Sequence, residues 1–219
     1  MTQSWDWPTA WSALPPLLIA LRTTLLAAAL GFTLALLAGL PLAAARDSRH
    51  RWLSRPTALL IEFIRGTPLL IQVYVLYFVL PAAGIVLPAF LTGVVALGLH
   101  YAAYLSETYR AGLRTIGPGQ RDAAAALGLR SLPAFRLVII PQAIPPILPA
   151  LGNHAIAILK DTPILASISL IELLQRAKLI GADTYRYTEP LTLVGLIFLV
   201  VSLTATVAFR HLEHRLKRP

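Results

Sequence analysis

The most constraining feature of the sequence is an uncharged window of 41 residues, from Gly66 to Ser106. As a single α-helix this window would be about 60 Å long, roughly twice the thickness of the hydrocarbon core of a bilayer. The chain must therefore fold back within it. Pro81, Gly84 and Pro88 interrupt the window near its middle, and residues of these types end helices and begin turns. The window predicts most of two membrane spans joined by a short turn.

Three further windows of 20 to 23 residues contain no charged residue, and each is long enough to cross a bilayer. The apolar run 162–171 has only ten residues and is too short to cross. Only 13% of the chain is charged, about half the usual fraction of a soluble domain, which indicates that much of the surface faces lipid. We therefore predict an all-α integral membrane protein with five spans, at about 17–45, 57–80, 88–111, 137–160 and 189–210.

The basic residues are concentrated in three segments, which hold 13 of the 19 Lys and Arg residues. With five spans, all three segments lie on the same side of the membrane. Basic residues collect on the cytoplasmic side, so the N-terminus is predicted to be outside and the C-terminus inside. This arrangement explains the net charge of +9, and no nucleic-acid partner is expected. The 13 residues are Arg46, Arg49, Arg51, Arg55, Arg110, Arg114, Arg121, Arg130, Arg136, Arg210, Arg215, Lys217 and Arg218.

The sequence divides into three parts around these spans. Residues 1–14 are predicted to be an extracytoplasmic segment that is retained, because the first apolar run is preceded by no basic residue of the kind found in signal peptides. Its tryptophans suit an interfacial aromatic belt. Residues 15–212 form the membrane domain, and residues 213–219 form a cytoplasmic tail. The chain has no cysteine, which excludes disulfides and thiolate chemistry.

The cytoplasmic connection 112–136 contains the signals of a short soluble helix. Pro118 suits the first helical turn, and Asp122, early in the helix, is favoured by the helix dipole. Ala123–Ala126 have the highest helix propensity, and Gly128 can adopt the left-handed conformation that ends a helix. The expected helix of about ten residues is marginal in isolation. From these signals alone it is either an ordinary connecting helix or a docking element that other surfaces can approach closely.

The spacing of residues in this connection carries a family resemblance. Asp122-Ala123-Ala124, three residues, Gly128, nine residues and "VIIP" at 138–141 resemble the EAA loop of ABC importer permeases, with Asp in place of the usual Glu and "VIIP" in place of I-x-L-P. Flanking segments at 62–81, 104–124, 139–162 and 210–216 resemble the polar amino-acid subfamily of type I importers. The resemblance extends over about residues 15–216.

The resemblance implies that the connection contains a coupling helix, which docks on a cytoplasmic ATPase dimer. It also implies a second permease chain, identical or paralogous, and an extracytoplasmic binding protein, in a bacterial inner membrane where the multi-pass chain contacts lipid. The chain has no Gly-rich phosphate loop, so ATP and Mg are expected on the partner and no cofactor or catalytic site is expected here. The residues assigned to ATPase coupling are Gly117, Gln120, Arg121, Asp122, Ala123, Ala124 and Gly128.

Charged residues inside spans are costly and are candidates for function. Glu62 and Arg65 share a helix face, as do Glu107 and Arg110. The Glu62–Arg65 pair either anchors the end of span two or gates the path against the partner subunit. The Glu107–Arg110 pair either orients the end of span three or contacts substrate. Thr67 lies at a predicted kink in span two.

Span four contains four prolines, and a broken helix of this kind suits the wall of a translocation path. His154, beside Asn153, is expected to form an interhelical hydrogen bond. Lys160, Asp161 and Thr162 lie at the predicted outer end of the span, where they either contact cargo or a binding protein or serve as an interfacial anchor. His211 and His214 lack the carboxylate pattern that would complete a metal site, so no metal is expected.

These observations predict a permease subunit for a polar amino acid. A related opine or compatible solute is an alternative cargo, and an ion channel is a more remote alternative that leaves the EAA resemblance unexplained. A membrane enzyme is disfavoured, because Ser106 and His100 do not share a helix face.

Overall fold

In a computed structural model, residues 4–216 are described, and nearly all of them are helical. Segment 75–79 continues α3 as a π-helix and 80–83 as a 3₁₀-helix, a π-helix at 135–139 joins α6 to α7, and a 3₁₀-helix at 162–168 follows α7. The α-helices are α1 (Trp7–Arg46), α2 (Arg51–Gly66), α3 (Leu69–Tyr74), α4 (Ala89–Arg114), α5 (Pro118–Ala126), α6 (Ser131–Ala134), α7 (Ile140–Asp161), α8 (Leu173–Thr184) and α9 (Thr188–Leu216).

Four stretches of the described residues are long and apolar enough to cross a membrane: Trp7–Arg46, Ala89–Arg114, Ser131–Ile168 and Thr188–Arg215. A fifth is obtained if α2 and the segment Leu69–Ala83 are counted as one span, although the two parts are bent by 104°. The all-helical membrane fold is thus confirmed, and the kink predicted in span two is a sharp break. The predicted basic residues Lys217 and Arg218, like residues 1–3 of the predicted outer segment, lie outside the described residues.

Helix α1 starts earlier than the predicted span and has 40 residues, about 60 Å. Asp6 caps it by accepting a hydrogen bond from the Thr9 backbone N–H at 3.1 Å, and a proline occupies the first turn. The hydroxyl and the backbone N–H of Thr9 lower the pKa of Asp6. Because of this cap, most of the predicted outer segment 1–14 is helical. Its buried face, with Ala13 and Leu17, packs against α8 and α9.

The segment 160–189, predicted to be an outer connection, contains the additional helix α8. Glu172 starts this helix by accepting hydrogen bonds from the backbone N–H groups of Leu174 at 2.9 Å and Gln175 at 2.7 Å. The N–H of Leu173 donates to the Thr24 hydroxyl of α1 at 3.0 Å. Since Thr24 lies near the middle of α1, α8 covers the first half of that long helix.

Small residues allow α1 and α4 to pack closely. On α1, buried Ala and Gly residues recur every four positions and therefore form one stripe along the helix. A Cβ atom on Gly31 would lie 3.0 Å from Leu97 Cβ, and one on Gly98 would lie 2.8 Å from Leu34 Cβ. Membrane helices associate through contacts of this kind because lipid supplies no hydrophobic drive between them. The stripe consists of Ala27, Gly31, Ala35, Gly39 and Ala43.

Contacts between helix ends give the relative directions of the helices. Asp47, just after α1, contacts Arg110 near the end of α4, and Asp6, just before α1, contacts Glu189 at the start of α9. Helices α1, α4 and α9 therefore run in the same direction. Helix α7 starts beside α5, at the end of the molecule where α4 finishes, and runs in the opposite direction.

The bend between α2 and α3 occurs at Thr67. This residue is extended, with φ −108° and ψ 140°, as is typical of a residue that precedes a proline. Pro68 follows with φ −62° and has no N–H with which to continue the helix. The local sequence therefore explains the break, and the angle is set by the packing of α3 on α4.

We expect Gly98→Ala to lower the free energy of unfolding by about 1–3 kcal/mol, because the new methyl group meets Leu34 and overpacks the α1–α4 contact. The matched control is Gly195→Ala on α9, where nothing lies within 4 Å of the new atom. The measurement is denaturant unfolding of both variants in one detergent. Equal midpoints for the two variants would contradict the importance of the close packing.

Candidate functional site

The short helix α5 is closed by Gly128, as predicted. Gly128 has φ +74°, and its N–H donates to Ala125 O at 2.9 Å, while the Leu129 N–H donates to Ala124 O at 3.0 Å. These two bonds form a Schellman motif, which satisfies the last carbonyl groups of a helix and reverses the chain. Gly117 precedes the helix as its N-cap. The helix is therefore a defined element with fixed ends.

Most of α5 is available to a partner, because Ala124 is its only buried residue. Leu127, directly after the helix, is 81% exposed. Arg121 lines an open cleft of about 560 Å³ between α5 and the segment formed by α6 and the π-helix 135–139. Gln120 is tied to this region by Gln142 Nε2, which donates to its Oε1 at 3.1 Å. The two remaining predicted coupling residues, Asp122 and Ala123, are also exposed on α5.

The predicted interaction of Asp122 with the helix dipole of α5 is wrong. Asp122 is the fifth residue of α5 and lies outside its first turn. The effect of a helix dipole falls off within that turn, so Asp122 contributes little there. Its exposed carboxylate instead faces outward from the element.

The predicted pair of Glu107 and Arg110 is present and has a third member. Arg110 Nη1 lies 2.6 Å from Glu107 Oε1, and Arg110 Nε lies 2.8 Å from Asp47 Oδ1. The Arg110 side chain is buried, whereas Arg114, 3.4 Å from the same Asp47 oxygen, is mostly exposed. Arg110 therefore links the end of α4 to the end of α1, next to the connection that carries α5.

Aromatic and ionisable side chains gather around the middle of α4. We call His100, Tyr101, Tyr104, His154 and Asp161 the polar cluster. The hydroxyl of Tyr101 donates to Asp161 Oδ2 at 2.6 Å. The ring centroid of Tyr104 lies 5.2 Å from that of His100 and 6.2 Å from that of His154. Because Tyr101 is the thirteenth of the 26 residues of α4, the cluster lies at half the length of this helix.

His154 joins α7 to α4. Its Nε2 lies 3.1 Å from the hydroxyl oxygen of Thr108. The interhelical hydrogen bond that the sequence predicts for this residue is therefore present. Its neighbour Asn153 is exposed.

The end of α2 reaches the same cluster. The guanidinium carbon of Arg65 lies 5.2 Å from the centre of the Tyr104 ring, which is a cation–π distance. The predicted pair of Arg65 with Glu62 is long, at 3.9 Å, and the Glu62 side chain is 72% exposed. An exposed pair of this kind contributes little stability. Arg65 thus contacts the cluster, and Glu62 does not.

Lys160 and Asp161 are the last two residues of α7, so they lie at the end of this α-helix as the sequence indicated, but the chain stays helical beyond them. The helix continues through the 3₁₀ segment 162–168, because a proline fits its first turn. Asp161 therefore faces the middle of α4, and Lys160 lines a separate cleft against α9. Thr162 is fully buried, and its hydroxyl donates to Leu159 O at 2.8 Å.

Sequence reasoning missed several polar residues. Gln72 contacts both Thr67, at the bend, and His100, and Asp47 contacts Arg110. Glu189, which is fully buried, accepts hydrogen bonds from Arg186 and from the Asp6 backbone. An uncharged glutamine in a span and a carboxylate at a span end give weak signals in a single sequence. Apart from Arg186, which is three residues from Glu189, their partners lie 28 to 183 residues away or across a bend.

Within residues 4–216, no group of three or more His, Asp or Glu side chains is arranged to hold a metal ion. His211 accepts a hydrogen bond at Nε2 from Arg215 Nε at 2.9 Å. This bond occupies one of the two ring nitrogens of the histidine.

Long apolar helices around a central helix, with polar groups at its middle and a capped helix exposed at one end, define a helical membrane protein. The chain belongs to the family described as binding-protein-dependent transport system inner membrane component, which matches residues 31–218. The resemblance to ABC importer permeases is therefore confirmed.

Relatives of known class agree with this assignment. The chain is 48% identical to the probable amino-acid ABC transporter permease protein y4tG of Sinorhizobium fredii NGR234, over 94% of this chain and 90% of the relative. It is 35% identical to the glutamine transport system permease protein GlnP of Escherichia coli K12, over 97% and 98%. A crystal structure of an amino acid ABC transporter with histidines superposes with a TM-score of 0.91, at 38% identity, over 97% of this chain and all of that one.

Membership of the family has direct consequences. The chain is a transport component of a membrane complex, and the family works with an ATPase, a second permease chain and a binding protein. The family is located in the inner membrane, in agreement with the apolar helices described above.

We expect Arg110→Gln to lower the free energy of unfolding by about 3 kcal/mol, because it leaves Glu107 and Asp47 without their shared cation. Arg114→Gln is the control. It removes an exposed side chain from the same Asp47 and is expected to cost less than about 1 kcal/mol. The measurement is thermal unfolding of the two variants in one detergent, which compares their losses in stability. Equal losses would show that Arg110 is no more than a surface charge.

Proposed function

We propose that this chain is the permease subunit of an ATP-driven importer, and that α5 is the coupling helix that docks on a cytoplasmic ATPase. The observation that carries the proposal is the exposed, nine-residue helix closed by the left-handed Gly128. Its alanines allow another surface to approach closely, and Leu127 offers an apolar contact. Arg121 and Asp122 supply charges on the same exposed surface.

A displacement of α5 by the ATPase is transmitted to the membrane-spanning helices through α4. Only the three-residue connection 115–117 separates the end of α4 from the start of α5. Arg110, near the end of α4, holds Glu107 on the same helix and Asp47 after α1. A displacement of α5 therefore moves α4 and α1 together, and α4 carries the polar cluster at its middle.

The partners follow from the family and from the surface of α5. The ATPase binds ATP and Mg, while the permease supplies the path and binds no cofactor of its own. Two permease chains, identical or paralogous, form the path between them in the inner membrane, and an extracytoplasmic protein delivers the cargo. By the charge distribution along the chain, the end of the molecule that holds α5 is cytoplasmic and the N-terminus lies on the opposite side.

The cargo that the polar cluster suits is a polar amino acid. Asp161 and the two histidine rings are acceptors for an ammonium group, and the Arg65 guanidinium beside Tyr104 can pair with a carboxylate. These groups lie at half the length of α4, and substrate sites of helical transporters lie near the bilayer midplane. Relatives in the same family are permeases for amino acids, including glutamine.

We expect Gly128→Val to abolish the binding of the ATPase while the chain still inserts and folds. A β-branched residue is strained at φ +74°, although no atom of residues 4–216 lies within 4 Å of the added atom. The control is Gly84→Val, which has the same strain at φ +81° and equally open space, in the turn before α4. The measurement is affinity purification of the tagged chain in mild detergent, with quantification of the bound ATPase.

The wild-type chain and Gly84→Val should retain a stoichiometric ATPase, and Gly128→Val should lose it. Loss in both glycine variants would assign the effect to general destabilisation. A clean wild-type preparation with no ATPase, from membranes in which the neighbouring genes are expressed, would overturn the importer proposal and favour the channel.

The orientation of the chain is tested separately. We expect a reporter fused before Trp5 to be accessible from outside the cytoplasm, because the basic connections lie at the other end of the molecule. Alkaline phosphatase and green fluorescent protein fusions report the two locations. A fluorescent cytoplasmic fusion at this site would contradict the proposed topology.

A further inference from the structure

One side-chain amide, that of Gln72, links α3 to the end of α2 across the break in span two. Gln72 Nε2, on α3, lies 2.7 Å from Ile64 O and 3.2 Å from Thr67 O, which are carbonyl oxygens at the end of α2. It also lies 2.7 Å from the Thr67 hydroxyl oxygen. That hydroxyl is 2.9 Å from Phe63 O, to which it donates its proton, so it can only accept from Gln72. All three atoms around Nε2 are thus acceptors.

These acceptors fix the orientation of the amide. If the Gln72 oxygen and nitrogen were exchanged, Oε1 would face two carbonyl oxygens, and the Thr67 hydroxyl could donate to it only by giving up its bond to Phe63 O. Oε1 must therefore point the other way, where it lies 3.1 Å from His100 Nδ1. Because a carbonyl oxygen only accepts, Nδ1 of His100 must carry a proton. A neutral imidazole then has its second nitrogen, Nε2, as a hydrogen-bond acceptor.

The other histidine of the polar cluster is not fixed in this way. The hydroxyl of Thr108 is 3.2 Å from Tyr104 O and 3.1 Å from His154 Nε2. Its single proton can be donated to either atom, so His154 Nε2 is an acceptor in one arrangement and a donor in the other. The polar cluster therefore contains one histidine whose tautomer is determined, His100, and one whose tautomer is not, His154.

The His100 ring lies against the aromatic part of the cluster. Its centroid is 5.4 Å from that of Tyr101 and 5.2 Å from that of Tyr104. Tyr101 donates to Asp161, and the Tyr104 ring contacts Arg65. With Nε2 of His100 as an acceptor, the polar cluster has two acceptors for an N–H donor: this nitrogen and the Asp161 carboxylate.

We propose that Gln72 is a positioning residue of the translocation path, which holds His100 as the Nδ1–H tautomer and so presents its Nε2 to an N–H donor of the cargo. The proposal rests on the proposed function of the polar cluster. The same amide joins α3 to the end of α2. Opening the bend would therefore release Gln72 from Ile64 and Thr67 and would free His100 to change its tautomer, which links the shape of span two to the chemistry of the path.

The first test is independent of transport. It records the ¹⁵N NMR signals of the histidine rings in the intact complex labelled with ¹⁵N-histidine. The chain has five histidines, and His100→Asn and His154→Asn variants identify the two signals of interest. We expect wild-type His100 to show a protonated Nδ1 and an unprotonated Nε2. A wild-type His100 protonated at Nε2 and not at Nδ1 would overturn the proposal, whatever any variant does.

The second test removes the amide. In Gln72→Leu, the His100 signals should change to a mixture of both tautomers. The His154 signals should stay the same, because the hydrogen-bond partner of His154 is Thr108 and not Gln72. Thr67→Val is a milder variant, which removes one acceptor and leaves two carbonyl groups for the amide. It should retain the Nδ1–H tautomer. An unchanged His100 signal in Gln72→Leu would contradict the role of Gln72.

The third test measures uptake by the complete transporter in proteoliposomes, with L-glutamine and L-arginine as probes. Gln72→Leu should raise KM about tenfold, the effect of one lost hydrogen bond, and should retain the bound ATPase. An unchanged KM would show that His100 does not meet the cargo. Failure of the wild-type complex to import either probe would count against the proposed amino-acid cargo, while the histidine signals would still decide whether Gln72 fixes His100.

Discussion

The close contact between α1 and α4 is the constraint on which the remaining structure depends. Lipid gives apolar helices no reason to associate, so the chain relies on a stripe of Ala and Gly residues that brings the two backbones together. This contact fixes α4 at the centre of the molecule. Every polar feature of interest is then placed relative to α4: the cluster at its middle, Arg110 near its end, and α5 just beyond.

The two candidate sites differ in how they are built, and this difference explains how far the sequence could predict them. Helix α5 is defined by local signals, from Pro118 in its first turn to Gly128 after its end, and it forms where the sequence indicated. The Glu107–Arg110 pair is also local, because both residues lie on one helix face. By contrast, Asp47 meets Arg110 across 63 residues and Tyr101 meets Asp161 across 60, and no local pattern specifies such contacts.

Tertiary packing also explains where the structure departs from the predicted spans. The uncharged window of span four predicted a helix that ends near Lys160, and α7 does end at Asp161, but Pro163 sits in the first turn of a 3₁₀ continuation, where its missing N–H costs nothing. The glycine and proline around Thr67 indicated a kink, whereas the angle of 104° depends on α3 packing against α4 and on the Gln72 amide. Helix α8 was missed because it is amphipathic and short, and it is stabilised by burial against α1.

The contacts of Glu189 with Asp6 and Arg186 have a consequence for the order in which the chain is assembled. Asp6 and Glu189 are 183 residues apart, so the ribosome makes the first long before the second. During that interval α1 can already pair with α4, but the start of α1 lacks its contact with α9. The buried carboxylate of Glu189 must find the backbone N–H of Asp6 when the last helix enters the bilayer. Insertion of α9 therefore completes the contacts at the start of α1, and a nascent chain interrupted before Arg186 lacks them although Asp6 already caps that helix.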